Sequence, residues 1–375
     1  MARVVIAGAG FGGIAAAVAL RRELGPGQVT LVDRRPDFVM GLRKIWTALG
    51  IDTLEAGRRP LSAIDGIELV TGEISAVDPA RRALEVNGRR LRGDALVLAL
   101  GAQQYPGAVP GLEEHGINIW DRDRAERARE ALRNLSVGRL LIGIFGMPHS
   151  CPPAPYELAL LARERLAPEV EIGVFTPAPM ALSVAGPAES AKLEALLGQR
   201  GVAFMPGHKA ESVSPASVRF SDGSEQTFDV LLGVPPHRCP SVLVEAGLAP
   251  EGGWLKPDAR TLELSQPDVY AVGDCTTIPL ANGLPLPKAG VFAHAQGEVV
   301  ATRIAARLRG ETPSATFAGE GMCYLETGLG QAAKTHGSFL ADPPQVQVSS
   351  PDEATMAEKR EFERSRLAAW FGGQR

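Results

Sequence analysis

The 375-residue chain has only four cysteines, Cys151, Cys239, Cys275 and Cys323, far apart and with no Cys-x-x-Cys pair among them. A disulfide framework or a thiolate metal site needs closely spaced cysteines, so neither is expected. In a reducing compartment any bridge between such cysteines would be a catalytic redox pair rather than a staple. The six histidines show no metal-ligand spacing, and no metal site is expected. No apolar run approaches the length of a membrane span. The N-terminus lacks the basic flank, apolar core and cleavage site of an export signal, because Val4–Ala7 already reads as a buried strand. The expected location is cytoplasmic, at most peripheral to the inner face of a membrane. Basic residues are not in excess either: the net charge is −4, which argues against a nucleic-acid partner.

What is present suits a globular protein with a sizeable core, 45% hydrophobic and 22% charged, of a length that fits two or three domains. Residues 3–33 read as strand, glycine-rich turn, helix and strand. A hairpin follows, with Asn87-Gly88 as its turn, and then an apolar strand over 95–100. The charged stretch 121–135 reads as a solvated helix. A second strand–turn–helix–strand unit spans 139–175, and another hairpin turns at Asp222-Gly223. A strand over 269–272 runs into Gly273-Asp274, and a long helix covers about 292–308. The last residues form an amphipathic helix, 358–371, with Phe362, Leu367, Trp370 and Phe371 along one side.

Gly8-Ala9-Gly10-Phe11-Gly12-Gly13 is a GxGxxG that follows a strand and opens a helix. Gly8 permits the tight turn, Gly10 lets the backbone approach a pyrophosphate, and Gly13 lets helix and strand pack closely. The helix start then offers free N–H groups to the phosphates. Asp33, closing the second strand, is placed to accept the ribose hydroxyls. Strand, glycines, helix, strand and acid in register predict a Rossmann-like dinucleotide site, which this pattern alone leaves open between NAD and FAD.

The second unit repeats the architecture without the glycines. Its turn reads Gly146-Met147-Pro148-His149-Ser150-Cys151-Pro152-Pro153, and its second strand ends in Thr176-Pro177. Prolines remove the backbone donors of a phosphate cradle, and no carboxylate awaits a ribose. This predicts a degenerate nicotinamide site with a cysteine in its place.

Two distant segments, 95–101 (ALVLALG) and 269–274 (VYAVGD), resemble the second and third FAD fingerprints of two-domain flavoprotein oxidoreductases. That resemblance implies FAD as cofactor, with Gly101, Gly273 and Asp274 beside it. The element Cys151-Pro152-Pro153-Ala154-Pro155-Tyr156-Glu157 resembles the flavoprotein subunit of flavocytochrome c sulfide dehydrogenase and the sulfide:quinone oxidoreductases. So do Val234-Pro235-Pro236, Ala246-Gly247-Leu248, Gly253-Trp254, Pro287-Lys288-Ala289-Gly290 and Cys323-Tyr324.

The resemblance implies a glutathione-reductase-like α/β fold of tandem Rossmann-like domains with a small C-terminal α+β region. The FAD domain would comprise 1–110 and 237–312, the second domain 111–236, and the C-terminal domain 313–375. It also implies that Cys151 and Cys323 form a redox-active disulfide beside the flavin, with Glu157 as base and Lys288 near the cofactor. Sulfide or a related sulfur nucleophile would be the donor, and a quinone or electron-carrier protein the acceptor. Some relatives tether the flavin to a cysteine in the first domain; residues 1–150 contain none, so FAD is expected to be non-covalent.

Cys151, read physically, sits just before a helix that begins with Pro152 and Pro153, where the helix N-terminus should lower its pKa. Glu157 lies in an apolar helical stretch that should raise its own. Cys239 and Cys275 read as structural, and the terminal helix as docked on its own protein. Two alternatives predict different behaviour: an NAD(P)H-dependent flavin reductase needs a usable nicotinamide pocket, and a flavin-containing assembly protein would hold a flavin that no donor reduces.

Overall fold

A computed structural model describes residues 3–372. Two five-stranded parallel sheets organise it. The first places its strands in the order Val269–Ala271, Ala95–Leu98, Val4–Ala7, Val29–Asp33, Glu68–Thr71. The second runs Ile117–Asn118, Val230–Val234, Gly138–Ile144, Val170–Phe175, Val202–Met205. Every strand of the central pairs is an apolar run rather than an alternation, as a sheet covered on both faces requires. The hairpins predicted at Asn87-Gly88 and Asp222-Gly223 form, in each case between antiparallel strands.

Glycine decides how the first sheet is covered. Helix Phe11–Leu24 lies beside helix Gly290–Leu308, and their backbones meet at Gly12 and Gly297, where a Cβ on Gly297 would stand 2.3 Å from the Gly12 carbonyl oxygen. The long helix is thereby pressed against the helix that opens the GxGxxG turn.

The C-terminal region is a three-stranded antiparallel sheet, Glu320–Gly328, Gln331–Ser338 and Gln345–Val348, followed by helix Glu353–Phe371. That helix starts five residues earlier than its sequence suggests, because Asp352 caps it by accepting from the Thr355 N–H at 2.6 Å. Its buried face is Met356, Lys359, Glu363, Leu367 and Trp370; Phe362 is only half-buried. The expectation of docking holds at Trp370, which packs edge-on against Phe11 and Phe38. The charged stretch is helical over Ala125–Arg133, with Ala125, Ala128 and Leu132 inward and the charges outward. No described helix is long and apolar enough to cross a membrane.

Candidate functional site

A cleft of about 380 Å³ runs from the glycine-rich turn to the C-terminal sheet. Gly10, Phe11, Gly101, Gly273 and Asp274 line one part of it, and Cys151, Glu157, Cys323, Lys359 and Phe362 another. All three sequence-predicted reactive residues therefore share a cavity with the predicted cofactor turn.

The glycines divide their labour as close packing demands. Gly8 has φ +101°, and a Cβ there would lie 2.3 Å from the Ala99 carbonyl oxygen. A Cβ on Gly13 would lie 1.8 Å from the Gly8 carbonyl oxygen, whereas one on Gly10 would meet nothing within 4 Å. Gly8 and Gly13 thus hold strand and helix together, and Gly10 leaves backbone open to the cleft. The helix has no capping side chain and no acid in its first turn, so its N–H groups remain available to an anion. Asp33 accepts from the N–H groups of Ala9 (2.7 Å) and Arg35 (2.9 Å), which fixes the carboxylate at the mouth of the turn. These features fit the diphosphate and ribose of a dinucleotide such as FAD.

Asp274 is pushed above the ordinary carboxylate range by burial, against the pull of Lys288 and the Ser150 hydroxyl. Ser150 donates to it at 2.5 Å. Lys288 itself hydrogen-bonds the carbonyls of Asp274 (2.6 Å) and Thr276 (2.9 Å) and stands 3.4 Å over the Trp254 ring. Its ammonium therefore grips the backbone that presents Asp274, and burial lowers its pKa to about 8.

The cysteine loop reaches this cleft because it is clamped to the first unit. Ser150 pairs with Lys288 as an isolated bridge, and the Cys151 N–H donates to the Lys288 carbonyl at 2.7 Å. Cys151 takes φ +55°, a left-handed conformation that costs a non-glycine residue roughly 1–2 kcal/mol. Strain of this kind persists where surrounding contacts impose it. One expectation is corrected here. The helix begins at Ala154, with both prolines before it, so Cys151 does not sit on the helix N-terminus. Its side chain is exposed to the cleft, and because the cleft lies inside the protein, desolvation, followed by the Glu157 carboxylate, pushes its thiol up to about 11. Burial, with Cys151 and Glu157 adding to it, also raises Cys323. Both are free thiols. Cys239 and Cys275 are buried away from this pair, as expected of structural cysteines.

Glu157 is 3% exposed, which dismisses a surface role. Its pKa is raised by burial, lowered in part by Lys359 and raised again by Glu326. Lys359 from the terminal helix lies 2.8 Å from both carboxylates, and the Glu326 N–H donates to Glu157 at 2.9 Å. Sequence reading missed Lys359 and Glu326. A signal existed for the lysine: Met356, Lys359, Glu363, Leu367 and Trp370 fall on one helical stripe, so two charges ride the apolar face. Glu326 carried no signal, since its partners are 33 residues downstream and at Trp46.

A second cavity of about 620 Å³ occupies the place of the degenerate nicotinamide site. Pro148, Pro152, Pro153, Pro177 and Pro179 help to wall it, no carboxylate lines it, and Cys323 lies on its boundary with the first cleft.

Residues 2–297 match the family model described as pyridine nucleotide-disulphide oxidoreductase. The chain belongs to that family. The mitochondrial sulfide:quinone oxidoreductase of Mus musculus is 24% identical over 365 residues, covering 91% of this chain and 79% of that protein. An NADH dehydrogenase-like protein of Mycobacterium tuberculosis is 28% identical over 300 residues, covering 73% and 72%. Among solved structures, the sulfide:quinone oxidoreductase of Aquifex aeolicus superposes with a TM-score of 0.88 at 23% identity, covering 100% of this chain and 92% of that one. Membership in the family makes the chain an oxidoreductase, and its tandem parallel sheets are the fold that the sequence predicts.

Proposed function

We propose that this oxidoreductase binds FAD non-covalently and takes electrons from sulfide or a small sulfur nucleophile through Cys151 and Cys323, for delivery to a quinone or an electron-carrier protein. The observation that carries the reading is the convergence of Cys151, Cys323 and Glu157 on the cleft that the GxGxxG turn and Asp274 also line. Similarity to the mouse and Aquifex sulfide:quinone oxidoreductases supports the same donor and acceptor.

In this reading Gly10 and the open helix start hold the diphosphate, Asp33 the ribose, and Asp274 the chain leading to the isoalloxazine. Hydrosulfide attacks the Cys151–Cys323 disulfide, leaving a persulfide on Cys151 and a thiolate on Cys323. Release of the sulfane sulfur with closure of the disulfide frees two electrons, and bound FAD would supply the carrier that accepts them and passes them on. Glu157 takes the proton that hydrogen sulfide gives up on becoming the nucleophile. Because Cys323 borders both cavities, the donor can arrive through the proline-walled one while the acceptor meets the flavin on the side of Met322, Tyr324 and Phe362.

Similarity to the Mycobacterium protein favours a second reading, reduction of the flavin by NADH. Against it stands a second cavity without a glycine turn or a ribose-binding acid. Anaerobic titration of the flavin absorbance separates the two. Sulfide should bleach it within seconds, Cys151→Ser should slow that bleaching at least about 1000-fold without loss of bound flavin, and NADH or NADPH should leave it oxidised. Bleaching by a nicotinamide alone would make the reductase reading the right one.

A further inference from the structure

Two carboxylates, Glu157 and Glu326, share one ammonium. Lys359 lies 2.8 Å from an oxygen of each, and all three side chains are almost fully buried. Fully ionised, the triad carries one uncompensated negative charge inside the protein, a costly state that binding a single proton would remove. The fourth contact is Trp46, whose indole N–H donates to Glu326 at 2.7 Å. The Lys359 ammonium also sits over the Trp46 ring, 5.6 Å from its centre. Arg43 lies over the other part of that indole, but Glu363 and Asp52 already neutralise it. Toward the cleft Glu157 faces Cys151 and Cys323. Those thiols, Glu326 and Lys359 are therefore the groups that set its charge.

We propose that Glu326 is a positioning residue: by holding half of the Lys359 charge, it makes Glu157 a better proton acceptor than a simple ion pair with Lys359 would, so that this carboxyl can both take up and release a proton during turnover. Were Glu157 alone with Lys359, an ion pair at 2.8 Å would hold it ionised and a poor base. With Glu326 competing, its carboxylate takes a proton from hydrogen sulfide in the cleft, forming hydrosulfide and a neutral carboxylic acid. The same acid later returns the proton as the acceptor is reduced. A general base needs a proton affinity above that of a fully paired carboxylate, and the second carboxylate acts in that direction. Burial and Glu326 both act to raise Glu157, in the direction this requires.

This assignment deepens the sulfide reading, and it is tested without sulfide. The infrared C=O stretch of a protonated carboxyl is followed against pH in the oxidised flavoprotein and assigned to Glu157 by its loss in Glu157→Gln. Glu326→Gln keeps an oxygen for Trp46 but removes the competing charge, and the midpoint of the band should fall by about one pH unit or more. Trp46→Phe strips a donor from Glu326, so that carboxylate competes better for the shared proton and the Glu157 midpoint should fall, by less than in Glu326→Gln. Glu326→Asp, which keeps the charge, should restore a midpoint close to that of the unaltered protein. The alkaline or acid limb of flavin reduction by sulfide should shift with the band in each variant.

An unmoved band in Glu326→Gln overturns the proposal. Should that variant lose its flavin, a midpoint that stays or rises in Trp46→Phe overturns it equally. Failure of sulfide to reduce the flavin, with the band still responding to Glu326, would instead count against the donor and leave the triad standing.

Discussion

The two Rossmann-like units solve the same connection differently. In the first, residues 8–10 join the strand Val4–Ala7 to its helix; in the second, residues 145–153 join Gly138–Ile144 to Ala154–Arg165. The short turn is possible because glycines let carbonyls stand where Cβ atoms would be, and its rigidity points free N–H groups into a cleft. The long turn gives up that cradle, but its extra length carries Ser150 and Cys151 across to Asp274 and Lys288 of the other unit. One loop binds by backbone and the other delivers a side chain. The contrast is between a turn whose open backbone lines the cleft and a turn that brings a cysteine side chain to the same cleft, on two five-stranded parallel sheets.

Breaking the short turn should have the largest effect. Gly13→Ala places a methyl group 1.8 Å from the Gly8 carbonyl oxygen, with the Ala99 Cβ 3.4 Å away, so strand and helix must part. We expect a loss of more than about 4 kcal/mol in urea unfolding, and loss of flavin with it. Pro153→Ala in the long turn, which only trims a buried ring and pushes nothing into a neighbouring backbone, should cost less, about 1 kcal/mol. Equal losses would mean that the two turns are not as different mechanically as their geometry indicates.

The second unit is held instead by charge from the terminal helix. Lys359→Met leaves Glu157 and Glu326 facing one another without a cation, and removing one partner of such a buried cluster costs about 3–5 kcal/mol. The loss should shrink as pH falls toward 5, because protonation relieves the repulsion, and Glu157→Gln in the same chain should recover part of it. Guanidinium unfolding at several pH values checks both statements.

Acid should also weaken the long turn. Burial, followed by the neighbouring His237, lowers His149 to about 4, and burial lowers His237 to about 4 as well. An unfolded histidine takes up its proton near pH 6.5. Stability from these neutral imidazoles is thus fully present above pH 6.5 and is lost as pH falls toward 4, by up to about 3 kcal/mol for each. His149→Gln should flatten part of that slope in thermal melts between pH 7 and 4, while a substitution at Asp33 should leave it unchanged.

How much of this was legible differs between the same two regions. The GxGxxG unit is local: residues 4–33 contain the strand, turn, helix and acid, and each glycine announces the contact it permits. Only the partner glycine, Gly297, escaped, because a single glycine inside an Ala-rich helix looks like tolerated noise until another backbone is seen against it. The cysteine site is non-local. Cys151 and Glu157 could be singled out because prolines stand where glycines belong, but the pKa of Cys151 was misjudged because desolvation and the Glu157 carboxylate outweigh the hydrogen bond that the Ala154 N–H, at the shifted helix start, gives the thiol. Glu326, Lys359, Trp46 and Ser150 come from four separate elements, and no spacing in the chain brings them together before folding does.

The smallest expected effect bears on the most exact parallel between the units. Asp33 ends the second strand of its unit and Thr176 directly follows that of the other, and each accepts from the N–H two residues on, Arg35 at 2.9 Å and Ala178 at 3.2 Å. Both therefore do the same local work of turning the chain out of the sheet. Asp33 does something more: its other oxygen accepts from Ala9 inside the glycine turn, whereas the second contact of Thr176 is with the Tyr156 hydroxyl on the helix Ala154–Arg165, not with the turn. Asp33→Asn keeps one acceptor and turns an amide donor toward the other N–H, so about 1 kcal/mol of stability should go. Flavin affinity should fall more than stability does, since the carboxylate that faces the ribose is lost. Thr176→Val should cost a similar amount of stability and leave flavin affinity untouched. If the two substitutions weaken flavin binding alike, the acid is acting only as a turn residue, and the first unit's claim on the ribose fails. If they separate, a single carboxylate marks which of two matching turns still serves a nucleotide.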